Sequence, residues 1–283
     1  MDGTFRVTPH LFEQLYTLHG FFRGKMVPLA YFLLPNKTKQ TYCEMFELLK
    51  NYALTNGKVF SPQTFQPDFE VAALSAIEEK FPSAERKGCL FHYSQCLWRK
   101  VQQFGLVPYY DDRIVHKFVR SCSALALVPL SRLDDGWLEI QADSPAPDHP
   151  ASAALERFKE YFISTWLEND AVYPRALWNH YGNFGPRTTN HLEGWHRYLN
   201  KRVGRTHVNI FDMVHELKHL ETKYKNEMLM LRMGQRPPRQ KRAYEALNQR
   251  LMGFVHDFET DRLPLINYIH NVAYNLKFGD ETT

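Results

Sequence analysis

The order of strand-like and helix-like segments in the first third of the chain is the feature that most restricts the fold. Two aromatic, β-leaning runs, "FEQLYTLHGFF" and "MVPLAYFLLP", flank "RGK" like the arms of a hairpin. Helix-like and strand-like segments then alternate, which gives the order β-β-α-β-α-β-α. Strands that alternate with helices are typical of an α/β domain built on a sheet. We therefore predict such a domain over residues 1–110.

Apolar spacing marks the helices of this domain. "TKQTYCEMFELLKNYALTNG" has the spacing of an amphipathic helix that stops at Gly57. "DFEVAALSAIEEKFP" predicts a second helix, with Asp68 as a good N-cap and Pro82 at its end. "KVFSPQTFQ" and "RKGCLFH" are the short strand candidates beside them, and "YSQCLWRKVQQFGL" predicts the third helix.

The remainder of the chain has a helical pattern. Residues 111–186 form a mainly helical insertion, broken by the loop "QADSPAPDHPAS". Residues 187–283 form a helical C-terminal part with the basic linker "GQRPPRQKR". We expect three segments, 1–110, 111–186 and 187–283.

Charge is distributed unevenly along the chain. Residues 186–250 contain fourteen Lys or Arg against six Asp or Glu, whereas the whole chain has a net charge of +4. A basic part beside an acidic remainder is consistent with a polyanion partner. A solvated helical surface explains the same charges equally well.

Other sequence features bear on the cellular compartment of the protein. The longest apolar stretch, residues 26–34, is too short to span a bilayer, and the start has no secretory signal pattern. Four cysteines in 283 residues do not indicate a disulfide framework. We expect a protein of a reducing compartment, in the nucleus or in nucleus and cytoplasm, that is neither secreted nor membrane-bound.

Three carboxylates are notable for their positions. Asp2 lies at the first strand region, Asp68 at a strand-to-helix junction, and Glu193 early in a later helix. If they converge, their oxygens suit Mg²⁺, and two such ions support phosphodiester chemistry. Taken singly, Asp2 is explained as a turn residue in Asp-Gly, Asp68 as a helix cap, and Glu193 as a surface carboxylate.

Four stretches together resemble a known family. They are "DGTF", "DFEVAALSAIEEKFP", "GCLFHYSQCLWRKVQQFGL" and "RTTNHLEGWHRYLNKRVGRTHVNIFDMVHELK", in this order. The chain resembles the Mutator-like element (MULE) transposases over nearly its whole length, and in particular animal proteins that carry this domain. The resemblance implies a ribonuclease-H-like mixed sheet with an all-helical insertion before the last acid.

The resemblance also implies a reaction. The family's DDE triad corresponds to Asp2, Asp68 and Glu193, which would bind Mg²⁺ or Mn²⁺ and catalyse cleavage and transfer of DNA strands. The implied partners are transposon ends and target DNA, with a homo-oligomer as a possibility. The implied process is DNA transposition and recombination by a transposable element.

A C-x-x-H element of the family corresponds to Cys89 and His92. A structural zinc normally takes four ligands, and this pair supplies two. His191 and His196 are candidates for the others, but residues five apart do not share a helix face. We favour a buried cysteine and a hydrogen-bonded histidine on the active-site side, with a zinc site as the alternative.

Basic residues and a histidine surround Glu193 in the sequence. His196 falls on the same helix face three residues later and is expected either to orient Glu193 or to contact DNA phosphate. Cations here would offset phosphate charge without reading sequence. The expected DNA-binding residues are Arg187, His196, Arg197, Lys201, Arg202 and Arg205.

The chain departs from the family at its start, where only Met1 precedes Asp2. Family members have several residues before the first acid, so we expect a truncated first strand. The leading hypothesis is a transposase domain. The alternative is a domesticated or truncated domain without activity that binds DNA or protein, and an unrelated α/β metal-dependent hydrolase is a third hypothesis.

Overall fold

The structure is a computed structural model that describes residues 1–185, 187–188, 190–237, 242–276 and 278. The chain divides into two compact units. The first unit comprises Met1–Arg86 and Thr189–Arg239, and the second comprises Lys87–Thr188 and Gln240–Thr283. The division into segments 1–110, 111–186 and 187–283 stays a prediction. Residues 238–241 of the basic linker lie outside the described residues.

The protein is a mixed α/β protein, as the element order predicts. The strands are β1 (Asp2–Thr4), β2 (Gln14–Phe22), β3 (Lys25–Leu34), β4 (Thr64–Phe65) and β5 (Glu85–Arg86). The helices are α1 (Lys39–Thr55), α2 (Val71–Lys80), α3 (Leu90–Gln103), α4 (Arg113–Ala124), α5 (Leu133–Ala142), α6 (Ser152–Phe162), α7 (Arg175–Trp178), α8 (Asn190–Val203), α9 (Ile210–Arg232), α10 (Arg242–Glu259) and α11 (Leu265–Asn275). Short helical segments lie at Val107–Tyr109, Leu125–Leu127, Leu130–Arg132 and Ile163–Leu167.

The first unit contains the predicted hairpin. β2 and β3 pair antiparallel, and Arg23 and Gly24 connect them with φ of 47° and 78°. Two successive residues with positive φ make the turn whose twist matches that of paired strands. β1 pairs antiparallel with the other edge of β2, which sets Asp2 opposite Thr17. β4 and β5 form a separate parallel pair.

Helices cover both faces of this three-stranded sheet. Successive side chains of a strand point to opposite faces, and β2 shows this directly. Tyr16 and Leu18 lie in one apolar cluster with Tyr42 of α1 and Ile77 of α2. Leu15 lies in another cluster, formed with α8 and α9 through Trp195, Leu199, Met213, Leu217 and Leu220. The face that carries Leu15 and Thr17 is therefore turned toward α8.

Two local interpretations of the acidic residues are wrong. Asp2 lies in β1, so the Asp-Gly pair does not form a hairpin turn. Helix α2 begins at Val71 with Glu70 as its N-cap residue, so Asp68 does not cap it. Neither carboxylate is explained by turn or helix-capping geometry.

The strand predicted at "RKGCLFH" is wrong except for Arg86, because Leu90, Phe91 and His92 already belong to a helix. β5 consists of Glu85 and Arg86, and α3 already begins at Leu90. The helical pattern predicted for residues 111–186 corresponds to α4 to α7, with short turns between them, among the described residues of that segment.

The second unit is helical and has an aromatic core. Tyr93 stacks on Trp178 with 5.3 Å between ring centroids and meets Trp166 edge-on at 4.9 Å. All three side chains are fully buried. Among the described residues, no helix combines the length and apolar character needed to cross a bilayer.

Candidate active site

The three predicted acids all lie in the first unit, on three different elements. Asp2 is in β1, Asp68 is in the segment between β4 and α2, and Glu193 is in the first turn of α8. Asp2 is only 8% exposed, although it stands at the start of the described chain. Its backbone pairs with Thr17, and the amide of Gly3 donates to its Oδ1 at 2.8 Å.

The environment of Asp2 disfavours its charged form. Burial raises the pKa of Asp2 to about 7, and repulsion from the carboxylates of Asp68 and Glu193 adds to this effect. A like charge raises a carboxyl pKa only when it is near. The fold therefore brings the three acids, which are 66 and 125 residues apart in the sequence, into one electrostatic environment.

Asp68 and Glu193 are also shifted. Burial raises the pKa of Asp68, and its Oδ1 is buried without a hydrogen-bond partner among the described residues. Burial likewise raises the pKa of Glu193, while the guanidinium of Arg197 acts in the opposite direction. A buried carboxylate oxygen that lacks a partner is costly, because that atom loses hydration that no hydrogen bond replaces. Such groups occur at functional sites, where an absent ligand completes them.

His196 is placed against Asp2. Its Nδ1 lies 3.5 Å from Asp2 Oδ2, its Nε2 lies 3.4 Å from Thr17 Oγ1, and the side chain is buried. The Thr17 hydroxyl in turn donates to the backbone oxygen of Asp2 at 3.2 Å. His196 thus contacts the first acid, a contact that was not expected, while the expected orientation of Glu193 or contact with DNA phosphate stays a prediction. The spacing of residues along a helix identifies neighbours on that helix but gives no information about a strand packed against it. The sequence therefore did not indicate this contact.

An open pocket of about 500 Å³ adjoins these residues. Glu193 and His196 line it together with cationic and neutral side chains of the same unit. The full lining is Arg6, Glu193, His196, Arg197, Asn200, Lys201 and Gly204. Three cations beside one carboxylate make a pocket suited to an anionic group. Arg6 was not expected from the sequence, where it follows β1 in a loop without any motif.

Two other predicted DNA-binding residues already form ion pairs within the first unit. Arg202 forms an ion pair with Glu216, and Arg205 forms one with Asp212. Exposed pairs of this kind are weak, so both arginines can exchange their partner for phosphate at little cost. Their role in DNA binding stays a prediction.

Arg187 belongs to the second unit and is 4% exposed. Its guanidinium donates to Asn183 O at 3.3 Å and to Asn248 Oδ1 at 2.5 Å. Burial lowers the pKa of Arg187. The predicted phosphate contact from Arg187 therefore requires these two internal bonds to be replaced.

Cys89 and His92 also lie in the second unit. Cys89 is buried, and His92 has a buried Nδ1 without a hydrogen-bond partner among the described residues. Burial lowers the pKa of His92 to about 4, so its imidazole is neutral near pH 7. Neutral imidazole is the ligating form, but a zinc site at this pair stays a prediction. All four cysteines are free thiols.

The donor groups of the acidic site determine which cation it can hold. Within the described residues, no group of three or more His, Cys, Asp or Glu side chains is arranged to hold a metal ion. Mg²⁺, however, keeps several waters and is bound through one or two carboxylates plus substrate phosphates. Asp2 and Asp68 supply carboxylate oxygens, the donor type that Mg²⁺ prefers. Asp68 Oδ1 has no hydrogen-bond partner among the described residues, so it is available to a cation. The acidic residues at this site therefore fit a Mg²⁺ ion.

Fold and site together define an α/β protein with a buried acidic site beside a cation-lined pocket. Residues 1–96 match the family model described as "MULE transposase domain". This stretch of the chain is similar to the MULE transposase domain, a similarity that covers about a third of the 283 residues. The matched residues include Asp2, Asp68, Cys89 and His92, whereas Glu193 lies beyond them. No curated protein and no solved structure matched the chain.

Proposed function

We propose that the first unit is the catalytic domain of a MULE-type transposase, which cuts and joins DNA strands with divalent cations held by Asp2, Asp68 and Glu193. The observation that carries this proposal is the pair of buried acids. Asp2 and Asp68 repel each other, and Asp68 Oδ1 has no partner in the described chain. Two buried carboxylates that repel each other destabilise a domain that has nothing bound. The arrangement is explained if a bound cation neutralises their negative charge.

The arrangement of strands supports a ribonuclease-H-like core. An antiparallel meander, β1 to β3, is followed by the parallel pair β4 and β5 with α2 between them. The amino group of Met1 donates to Gln66 O at 3.0 Å, which ties the start of β1 to the end of β4. This bond brings the chain before Asp2 next to the residue that precedes Pro67 and Asp68, although β1 and β4 belong to separate sheets.

The side chains around the acids have separate roles. Mg²⁺ or Mn²⁺ bound at the acids would activate a water or a 3′-hydroxyl and stabilise the leaving oxygen of a phosphodiester. His196 holds Asp2 in place through the contact at 3.5 Å. Arg6, Arg197 and Lys201 line the pocket beside Glu193 and bind backbone phosphates of the DNA. Transposon ends and target DNA are the substrates, a homo-oligomer is the working assembly, and the nucleus is the site of action.

The test is nicking of supercoiled plasmid in Mg²⁺ or Mn²⁺. Asp68→Asn and Glu193→Gln should each abolish cutting, because each removes a charged donor without changing side-chain volume. Glu78→Gln is the matched control, since Glu78 is an exposed acid of α2 paired with Arg86. Cutting by Asp68→Asn at the rate of the parent would overturn the assignment of the acids. A parent that binds the plasmid and never cuts it would establish the DNA-binding alternative.

A further inference from the structure

Two histidines stand one helical turn apart on the outer side of α9. His215 and His219 are both exposed, and their ring centroids are 4.7 Å apart with an interplanar angle of 81°. Residues at i and i+4 of a helix lie one above the other on the same face. The two imidazoles therefore form a pair fixed by the helix and not by a loop.

The rest of α9 holds this pair rigidly. Met213, Leu217 and Leu220 on the opposite side of the helix are buried in the cluster shared with the sheet. Among the described residues, neither imidazole forms a hydrogen bond or an ion pair, whereas other side chains of α9 do. The ring nitrogens of His215 and His219 are thus available to a ligand from solvent.

The geometry suits chelation of a single metal ion. Two imidazoles bound to one ion through bonds of about 2.0–2.1 Å have ring centres roughly 5 Å apart. The observed 4.7 Å between the rings of His215 and His219 is close to this value. Imidazole nitrogens favour Zn²⁺, Cu²⁺ and Ni²⁺, whereas Mg²⁺ prefers oxygen ligands.

The sequence around the pair is "HELKH", with a glutamate directly after the first histidine. In zinc hydrolases with H-E-x-x-H on a helix, this glutamate is the general base. Here the corresponding Glu216 forms an ion pair with Arg202, and its side chain is only 18% exposed. We therefore assign the histidine pair as a binding site only, because Glu216 is paired with Arg202 in the structure.

We propose that His215 and His219 form a two-ligand site for a transition-metal ion such as Zn²⁺ or Ni²⁺, separate from the acidic site. Waters fill the remaining positions of the ion. Asp212, one turn before His215, is the nearest acid on this face of α9, and its carboxylate is paired with Arg205. The site therefore holds its ion through imidazole alone.

The test is calorimetric titration of the whole chain with Zn²⁺ in excess Mg²⁺, which keeps the acidic site supplied with its preferred ion. We expect one Zn²⁺ per chain. His215→Gln and His219→Gln should each lower the affinity by at least about tenfold, since even loss of an outer-shell partner costs a metal site 10–100-fold. His256→Gln is the matched control, because His256 is an exposed histidine of α10.

Each other outcome contradicts the proposal. Absence of Zn²⁺ binding overturns it, and so does parental affinity in both histidine variants. Loss of Zn²⁺ binding in Asp68→Asn would place the ion at the acidic site. Because this assay does not use DNA, it can fail or succeed independently of the transposase activity. Helicity measured by circular dichroism verifies that the exposed substitutions leave α9 folded.

Discussion

His196 of α8 and Asp2 of β1 meet with 3.5 Å between Nδ1 and Oδ2. The other ring nitrogen lies 3.4 Å from Thr17 Oγ1, and the Thr17 hydroxyl donates to the backbone oxygen of Asp2. A helix and two strands are thereby joined at one carboxylate. The imidazole thereby restrains the orientation of the Asp2 carboxylate. His196 is for this reason a positioning residue of the proposed cation site.

Removal of His196 should weaken cation binding more than it weakens the fold. Groups that orient a metal ligand typically contribute 10–100-fold to metal affinity, and we expect a loss in this range for His196→Ala. Titration with Mn²⁺, followed by water-proton relaxation, measures the affinity directly. His191→Ala on the same helix is the control, since His191 is exposed. Equal affinity in the two variants would show that His196 does not position Asp2.

Arg197 should contribute more to DNA binding than Arg202. Arg197 lines the pocket beside Glu193, whereas Arg202 is paired with Glu216. Each phosphate contact contributes about one unit to the slope of log affinity against log salt concentration. Arg197→Gln should therefore reduce this slope by about 1, and Arg202→Gln should reduce it less. Fluorescence anisotropy with duplex DNA at several salt concentrations measures both slopes, and a reversed order would contradict the assignment of the pocket.

Gly3 should not tolerate a side chain. A Cβ built on Gly3 would stand 2.2 Å from Gln14 Oε1. Gln14 is buried and donates to the hydroxyl of Tyr42 at 2.7 Å, so it cannot move away without losing that bond. Gly3→Ala should lower the free energy of unfolding by about 1–3 kcal/mol, as expected for a buried polar group left unpaired.

Gly194→Ala is the control for Gly3→Ala. Gly194 lies in α8 and has open space where a Cβ would be placed. Alanine in a helix is favoured over glycine by roughly 0.5–1 kcal/mol, so this variant should gain stability. Urea denaturation measures both variants. A neutral Gly3→Ala would mean that Gln14 repacks without cost.

His180 should make stability depend on pH. Burial lowers its pKa to about 4, with Lys87 and Arg187 acting in the same direction, while Nε2 lies 2.7 Å from Gly88 O. The Nδ1 atom faces the amide of Asn183 at 3.5 Å. The unfolded chain has the ordinary pKa near 6.5 and takes up the proton first. Stability is therefore fully present above about pH 6.5 and is lost as the pH falls toward 4.

The size of this effect is measurable. Between pH 7.5 and pH 5 the shift of the His180 pKa accounts for about 2 kcal/mol of unfolding free energy. His180→Gln keeps a donor toward Gly88 O and removes the titration, so its stability should change less over the same range. Urea denaturation at the two pH values gives the comparison. An unchanged difference in the variant would assign the pH dependence to other groups.

The sequence was informative where local patterns and ordered motifs coincide. The hairpin arms around Arg23 and Gly24 were predicted correctly because alternation and turn chemistry are both local. The start of α2 was wrong by two residues, since the N-cap preference of Asp68 is a local tendency that the rest of the fold outweighed. The grouping of Asp2, Asp68 and Glu193 into one catalytic site rests on the family resemblance and not on spacing, and it stays a prediction.

Contacts between distant segments were beyond local reasoning. The pairing of Asp2 with Thr17, and through it with His196, depends on strand register and on the helix packed against that face. Arg6 enters the pocket for the same reason. The pair His215 and His219 is different, because its spacing of four residues is visible in the sequence and needed only the helix and its exposed face to become a site.

The first unit is built from two stretches of chain, with its first two acids before residue 87 and Glu193 after residue 188. During synthesis on a ribosome, the chain grows by about 5–20 residues per second. Glu193 and His196 thus emerge roughly 6–25 s after Asp68. Throughout that interval, α8 is not yet present to cover Asp2 of β1 and the sheet face on which α8 packs. A chaperone that shields this face of the nascent chain would therefore act before α8 brings Glu193 and His196 to the site.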